Sequence, residues 1–396
     1  MFLDEAIGRA IALGNGVPRR IGIPLCRRIC VMAISVNRAT VRLFRFLSQR
    51  SSTALILLSV FLVLLAGLID YLTGVEVSLS ILYLLPVSLS AWFVGRRVSI
   101  VMSILGTIAW FLADFFSATR YSHPLIPYWN ALVMFSFFLT TAVILSALRA
   151  SVQRERRRAR EIQEEMLPLE ISSAGGYQIA GIWKPAEEVG GDYYDILKLS
   201  DSTLALCVAD VIGHGMPAAL LMSSLQAAVR LLASPLNGAS QSPAPAELSA
   251  RANDYVSTNV RPGRFITFFY AVLDVSTGRF RYTNAGHNPP LIAREGGKLI
   301  KLVTGDFPLG LQPSTSFHER EIELRSGDAI LLYTDGVVEV EDIRGEQLGE
   351  EGLMEILNTH RHLPAAELAD AILRSVQKRS RNAFQDDVTM LVITAR

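Results

Sequence analysis

The sequence is poor in cysteine and lacks the residue sets that mark several common enzyme classes. Its 396 residues include three cysteines, Cys26, Cys30 and Cys207. This is too few for a disulfide framework and is typical of a chain whose soluble parts face a reducing compartment. Neither a Walker A loop nor an HExxH motif occurs, which argues against a P-loop NTPase and a zincin. No Ser/His/Asp or Cys/His set is apparent, so no protein nucleophile is predicted.

Charged residues are also scarce between positions 53 and 149, whereas residues 150–396 have the composition of an ordinary soluble α/β protein. The charge-poor stretch contains four apolar runs, each close to the ~20 residues that a helix needs to cross a bilayer. We therefore expect an all-α, four-span transmembrane region at 53–149. The predicted spans are Thr53–Leu72, Val77–Gly95, Val98–Ser117 and Trp129–Arg149.

Arginines beside these runs predict the orientation of the spans. They precede the first span, Arg96 and Arg97 join the second to the third, and an arginine-rich run at 149–160 follows the fourth. By the positive-inside rule, both termini then lie in the cytoplasm, and the protein is a multi-pass protein of the inner (cytoplasmic) membrane. Four polar residues on the outward side form either an external sensor or ordinary loop surface: Asp70, Glu76, Asp114 and His123.

Residues 1–52 form a basic N-terminal segment in which arginines alternate with apolar residues. Asp4 and Glu5 are not expected in a signal peptide. An amphipathic segment on the anionic inner leaflet and a disordered basic tail both fit this composition. Because the basic residues cluster beside apolar spans and do not interleave with aromatics, we expect no nucleic-acid partner.

Residues 150–169 are predicted to form a helical linker that continues the fourth span. A heptad-like stripe with one polar position, Glu155, precedes Pro168, which should end the helix. The stripe indicates a coiled coil and a homodimer. A single solvated helix stabilised by its own Glu/Arg pairs is the alternative. The stripe comprises Leu145, Leu148, Val152, Glu155, Ala159, Ile162, Met166 and Leu169.

Residues 170–396 show short β-rich runs alternating with helical patterns, which favours a sheet sandwich flanked by helices. The predicted strands are 177–182, 194–198, 203–208, 265–274, 279–284, 290–294, 329–334 and 388–393. The predicted helices are 217–233, 247–258, 350–358 and 365–379.

Aspartates recur in this region at the ends of apolar runs or beside glycine. Any one of them is ordinary turn chemistry. Together they suggest carboxylates that converge at one edge of the sheets. Hard oxygen ligands without a His/Cys cluster favour Mg²⁺ or Mn²⁺ over zinc, and two such ions can activate water for attack on phosphorus. The acids are Asp192, Asp210, Asp335, Asp386 and Asp387.

Seven stretches between about residue 160 and the C-terminus together resemble the metal-dependent (PPM, or 2C-type) protein phosphatases, in the bacterial SpoIIE/RsbU-like branch. Their order and spacing cover nearly the whole region, whereas the membrane half is outside the resemblance. The stretches are IQEEMLP (162–168), VGGDYYD (189–195), the Asp210 turn, NAGHNPP (284–290), PLG (308–310), YTDGV (333–337) and DDVT (386–389).

This resemblance implies an α+β, αββα-sandwich phosphatase domain with a pair of Mn²⁺ or Mg²⁺ ions. By position, Asp192 and Asp210 should be the central ligands, and the Val211 carbonyl should be a backbone ligand although the family often has glycine there. Asp335 and Asp386 should complete the coordination of the ion that is held by the second half of the domain. Asp387 is the alternative to Asp386, and we rank Asp386 first.

Two functions are compatible with the sequence. The first is a membrane-anchored serine/threonine phosphatase that is gated through the linker. In the resembled family the substrate is often a phosphorylated anti-sigma-factor antagonist, so a phosphorylated regulatory protein is the expected partner. The second function is a non-catalytic receptor or scaffold that uses the same fold to bind a partner. The complete set of acids favours the enzyme.

Overall fold

The structure is a computed structural model that describes residues 43–44, 46–47, 50–73, 79–116, 121–168, 173–234, 242–260, 263–303, 305–380 and 384–396. It divides into two compact units, Met1–Val152 and Gln153–Arg396, and the division falls within the predicted linker. Most of the N-terminal segment lies outside the described residues, as do Glu76, Arg120, Leu169 and much of the loop before residue 242.

The first unit consists of apolar helices: α1 (Ser52–Thr73), α2 (Leu84–Leu89), α3 (Arg96–Phe116) and the beginning of α4 (Ile126–Met166). Four helices among the described residues are long and apolar enough to cross a membrane, namely α1, α3, α4 and α5 (Met216–Ala233). Half of the residues of α5 are buried, and it packs within the second unit. Helices of this kind at α1, α3 and α4 are typical of a membrane protein.

The predicted second span is shorter than expected in the described residues. It consists of a tight turn at Ser80–Tyr83, the short helix α2 and a wide turn at Ser90–Val94. Pro86 lies inside it and has no N–H to donate, which favours such changes of helical pitch. The segment Ser80–Val94 is therefore apolar but falls below the length of the other spans.

Helix α4 is 41 residues long and includes both the fourth predicted span and most of the linker. It ends at Met166, two residues before Pro168, in agreement with the predicted stop. In its charged part, Glu155 pairs with Arg158 and Glu164 pairs with Arg160, all on the exposed surface. The stripe residues Leu148, Val152 and Ile162 are exposed. Both interpretations of the linker are compatible with these contacts.

The second unit contains two antiparallel sheets. The six-stranded sheet has the order β1-β2-β11-β10-β7-β8, and the five-stranded sheet has the order β3-β4-β5-β6-β9. The strands are β1 (Ser173–Ala174), β2 (Tyr177–Lys184), β3 (Tyr193–Lys198), β4 (Thr203–Val211), β5 (Ile266–Asp274), β6 (Arg279–Ala285), β7 (Leu291–Ala293), β8 (Leu299–Lys301), β9 (Arg320–Glu323), β10 (Ala329–Tyr333) and β11 (Val388–Ala395). The helices after α5 are α6 (Pro245–Asn259), α7 (Asp335–Val338), α8 (Gly349–His360) and α9 (Ala365–Ser380).

Strict alternation along the strands builds the layers of this unit. In β4, Leu204, Leu206 and Val208 enter the core between the two sheets, while Ala205 and Cys207 enter a second core under α5 and α6. A third core packs α8 and α9 against the other sheet. Because side chains in a strand point alternately to its two faces, each central strand contributes side chains to two cores. The result is the predicted αββα sandwich.

Every predicted strand and helix of this unit is present, with ends that differ by at most three residues. Four elements were not predicted: strands β1, β8 and β9 and helix α7. Each has four residues or fewer. Such lengths are too short to show a period of two or of 3.6 residues, and pairing with a neighbour defines these strands.

Candidate metal centre

The five acids singled out in the sequence follow or precede strands whose ends lie at one edge of the sandwich. Asp210 lies near the end of β4, and Asp192 directly precedes β3, which pairs with β4 through Tyr193 and Ala209. In the other sheet, Asp335 follows β10, and Asp386 and Asp387 precede β11. Because neighbouring strands run antiparallel, the end of one and the start of the next meet at the same edge.

Asp192 is the most deeply buried of these acids. Burial raises the pKa of its carboxyl group well above the ordinary value, and the charges of Asp210 and Asp387 raise it further. Asp192 therefore lies within electrostatic reach of one acid from each sheet.

The pKa values of Asp210 and Asp335 are raised as well. Burial raises the pKa of Asp210 to about 7, with further contributions from the charges of Asp335, Asp386 and Asp387. Burial and then the charge of Asp386 raise the pKa of Asp335 to about 6. In the described part of the chain, no lysine or arginine forms an ion pair with any of the five acids. Carboxylates this close without a basic partner favour the binding of a cation.

The chemistry of this donor set fits Mn²⁺ or Mg²⁺, since it offers hard carboxylate oxygens and a backbone carbonyl. Within the described ranges, no three Asp, Glu, His or Cys side chains are grouped closely enough to coordinate an ion. Asp386 is exposed and Asp335 half-buried, so both carboxylates have room to rotate toward an ion. The ligand set remains a prediction.

Asp386 and Asp387 differ in what their carboxylates already bind. Asp387 is buried, and its two oxygens accept hydrogen bonds from the backbone N–H groups of Ala186 at 2.8 Å and Gly191 at 2.6 Å. Asp386 is exposed and accepts one bond, from the N–H of Asp387. The carboxylate of Asp386 therefore has free acceptor capacity, whereas that of Asp387 holds the loop before Asp192. This supports the ranking of Asp386 as the ligand.

Two glycines permit the close approach of these loops. A side chain at Gly190 would press its Cβ to 2.7 Å from the Asp387 carboxylate, and one at Gly336 would overlap the Asp387 carbonyl oxygen. Packing against Asp387 thus requires glycine at both positions. Gly191 lies against the Val211 carbonyl oxygen, which would be 3.2 Å from an added Cβ. The predicted backbone ligand therefore neighbours the Asp192 loop.

The end of helix α4 also contacts this loop. The buried side-chain amide of Gln163 forms two hydrogen bonds with the backbone of Gly190. Three residues further on, the Met166 carbonyl accepts bonds from Gln226 at 2.6 Å and Arg230 at 2.9 Å, both on α5. Arg230 in turn pairs with the buried Asp195 at 2.6 Å. The linker helix is thus joined to the loop that carries Asp192.

The two histidines of the motifs have different environments. His214 is exposed and its ring pairs with Glu187 at 3.0 Å. His287 is buried. Its ring Nδ1 lies 2.8 Å from the Thr267 hydroxyl, and its backbone N–H donates to the side-chain oxygen of Asn284 at 2.7 Å. Thr267 is the direct partner of Asp210 in the pairing of β4 and β5. His287 therefore supports the strand opposite Asp210.

Sequence reasoning missed Thr334 as a site residue. This buried threonine donates a hydrogen bond of 2.7 Å to Oδ2 of Asp192, 142 positions earlier in the chain. Alternation along β10 was the available signal, since Ile330 and Leu332 face the core between the sheets and Thr334 continues that face.

Comparison with known proteins gives matches to both halves of the chain. Residues 200–396 match the family described as Stage II sporulation protein E (SpoIIE), and residues 52–162 match a domain of unknown function (DUF4118). Protein IcfG of Synechocystis sp. is 28% identical over 274 residues, which cover 63% of this chain and 43% of IcfG. Phosphoserine phosphatase RsbU of Bacillus subtilis is 29% identical over 250 residues, covering 63% of this chain and 72% of RsbU. The matched part is thus less than half of IcfG.

The sandwich also resembles a solved structure, the SiaA-PP2C domain of Pseudomonas aeruginosa. The TM-score is 0.56 at 20% sequence identity, and the match covers 63% of this chain and 99% of that domain. At this identity the likeness establishes the fold. The resemblance drawn from the sequence motifs is confirmed by these matches. The family match and the shared sandwich together make the second unit of this chain a phosphatase domain of the SpoIIE and PP2C type.

Proposed function

We propose that this protein is a membrane-anchored, metal-dependent serine/threonine protein phosphatase. The observation that supports this most directly is the edge of the sandwich where acids beside the six-stranded sheet raise the pKa values of Asp192 and Asp210, beside the five-stranded sheet, without a basic partner. A binding scaffold has no need to keep Asp210 and Asp335 so close in partly buried positions, because their repulsion opposes folding.

The proposed ligands are the carboxylates of Asp192, Asp210, Asp335 and Asp386 and the carbonyl of Val211. Asp387 holds the Asp192 loop through its two backbone hydrogen bonds. When bound there, two divalent ions supply an activated water for in-line attack on phosphorus and neutralise phosphoryl charge. The protein's own part is to orient the carboxylates and to exclude basic side chains that would compete with the cations.

The proposed substrate is a phosphoserine or phosphothreonine on a regulatory protein. RsbU, which is named a phosphoserine phosphatase, aligns with most of this domain. In the resembled family the phosphoprotein is often an anti-sigma-factor antagonist, and we extend that substrate class to this chain. The substrate is thus expected to be another protein that reaches the open edge of the sandwich.

The membrane region is proposed to gate the enzyme through the linker. The last turn of helix α4 forms the Gln163 and Met166 contacts. A change in the position of this turn would therefore move the Asp192 loop. The exposed apolar stripe at Leu148, Val152 and Ile162 supports a homodimer through this helix. The arginine distribution supports a cytoplasmic location for both termini and for the catalytic domain.

Hydrolysis of p-nitrophenyl phosphate by the full chain in detergent tests this proposal. We expect turnover that requires Mn²⁺ or Mg²⁺ and stops on addition of a chelator. A folded protein without turnover on this compound or on a phosphoserine peptide, with either ion, would favour the non-catalytic scaffold.

A further inference from the structure

The side chain of Thr334 connects the two sheets at the candidate metal centre. Thr334 follows β10 in the six-stranded sheet and is fully buried. Its hydroxyl donates to Oδ2 of Asp192, which precedes β3 in the five-stranded sheet, at 2.7 Å. The backbone carbonyl of Asp192 also accepts a bond from the indole N–H of Trp183 in β2, at 3.2 Å. Asp192 is thus held by the sheet to which it does not belong.

The hydrogen of the Thr334 hydroxyl is directed toward Asp192 by its surroundings. The N–H of Thr389 donates to the Thr334 oxygen at 3.1 Å, so that oxygen already acts as an acceptor on one side. Two carbonyl oxygens, of Asp387 and Thr389, lie further away at 3.5 and 3.4 Å. A bond of 2.7 Å to a carboxylate is stronger than contacts to neutral carbonyls at these distances. The hydroxyl therefore favours Asp192 over the carbonyls.

We propose that Thr334 is a positioning residue for Asp192. Its hydroxyl fixes Oδ2 of the Asp192 carboxylate toward the six-stranded sheet, and this sets the orientation in which the carboxylate faces the candidate metal centre. The same bond joins the acids of the two sheets, because Asp335 is the next residue after Thr334. This inference rests on the proposed function, since it assigns Asp192 to metal binding.

The test is Mn²⁺ affinity of the full chain in detergent, measured from the electron paramagnetic resonance signal of free Mn²⁺. Thr334→Val keeps the shape of the side chain and removes the hydroxyl, whereas Thr334→Ser keeps the hydroxyl. Supporting groups of metal ligands typically change affinity by about 10- to 100-fold, so we expect that loss for Thr334→Val. Thr334→Ser should remain within about threefold of the wild type.

Thr283→Val is the matched control. Thr283 is a fully buried threonine on β6, and its hydroxyl has no hydrogen-bond partner among the described residues. The substitution should leave Mn²⁺ affinity unchanged. Hydrogen exchange of β10 and β11 checks folding of each variant, and Thr334→Ala replaces Thr334→Val if the larger side chain disrupts the core.

Each outcome decides the proposal. Wild-type affinity in folded Thr334→Val, or equal losses in Thr334→Val and Thr334→Ser, would overturn it. Unfolding of both Thr334→Val and Thr334→Ala would assign Thr334 a purely structural role and would also overturn it. If the wild type neither binds Mn²⁺ nor hydrolyses p-nitrophenyl phosphate, the proposed function is wrong as well. If the wild type does both, a negative result for the Thr334 variants overturns only the role proposed for Thr334.

Discussion

Gln163 and Gly190 exchange two hydrogen bonds. The side-chain nitrogen of Gln163 donates to the Gly190 carbonyl at 2.6 Å, and the Gly190 N–H donates to the side-chain oxygen of Gln163 at 3.1 Å. A primary amide is the side chain that can serve both backbone groups at once, because it carries a donor and an acceptor. The contact joins the end of α4 to the loop that leads into Asp192.

Gln163→Glu should therefore impair the enzyme without touching an acid of the candidate centre. The carboxylate has no donor for the Gly190 carbonyl and places a charge in a buried position, so the loop loses a contact worth about 1–3 kcal/mol. We expect the Mn²⁺ concentration needed for half-maximal turnover to rise by about tenfold or more. The measurement is a Mn²⁺ titration of phosphatase rate.

Gln153→Glu on the exposed face of the same helix is the control, and it should leave the titration unchanged. Equal titrations for Gln163→Glu and the wild type would show that the linker contact does not affect the site. The gating role proposed for the helix would then be wrong.

Asp386→Asn and Asp387→Asn should fail in different ways. Asp387 accepts two backbone N–H bonds, and an asparagine can accept only one of them, so Asp387→Asn should destabilise the domain by about 1–3 kcal/mol. Asp386 is exposed, so Asp386→Asn should leave stability unchanged and weaken Mn²⁺ binding. Thermal unfolding and Mn²⁺ titration of both variants check this. The reverse pattern would make Asp387 the ligand.

A pH dependence of stability is expected from His287. Burial lowers its pKa from the ordinary 6.5 to about 4. Below pH 6.5 the unfolded chain gains a proton that the folded chain does not take up. The contribution of His287 to stability is thus complete above pH 6.5 and is lost as the pH falls toward 4, by about 3 kcal/mol in total.

Hydrogen exchange of β5, which carries Thr267, measures this effect in the full chain. Between about pH 7.5 and pH 5, the wild type should lose about 2 kcal/mol more stability than His287→Gln. His362→Gln, at an exposed position, should behave like the wild type. Identical pH profiles for the wild type and His287→Gln would contradict the burial of a neutral histidine.

The orientation of the membrane region follows from the arginines. A reporter fused after Arg160 should be cytoplasmic, and one fused near Arg120 should be external. The reason is that each basic residue near the anionic inner leaflet contributes about 1 kcal/mol of electrostatic attraction to that leaflet. Accessibility of the two reporters in intact cells checks this. A cytoplasmic reporter near Arg120 would overturn the four-span topology, in which the short segment Ser80–Val94 has to cross the membrane.

Much of the second unit could be predicted from the sequence because its central strands are β-rich runs of five to nine residues. Strand β4 is an example: its apolar run ends in Asp210 and a glycine turn, and α5 begins directly afterwards at Met216. Antiparallel pairing then places the acids beside one another. The sandwich follows from patterns that are local in the chain.

The remaining features depend on contacts between distant residues. Neither the bond from Thr334 to Asp192 nor the two bonds accepted by Asp387 leaves a local signal, since the partners are 142 to 201 positions apart. The shortened helical segment around Pro86 was missed because its composition alone resembles a full span. The sequence shows which residues are acidic and predicts where the strands end. It does not distinguish an acid that binds a metal ion from one that holds a loop in place.

Phosphate release by Asp210→Asn tests the central claim most directly. The full chain in detergent, with Mn²⁺ and a phosphoserine peptide, should release phosphate, and Asp210→Asn should release about 100-fold less or none because a ligand charge is lost. Asp201→Asn, at an exposed acid paired with Lys198, should match the wild type. Near-normal release by folded Asp210→Asn at low Mn²⁺ would contradict the metal-dependent phosphatase proposed for this protein.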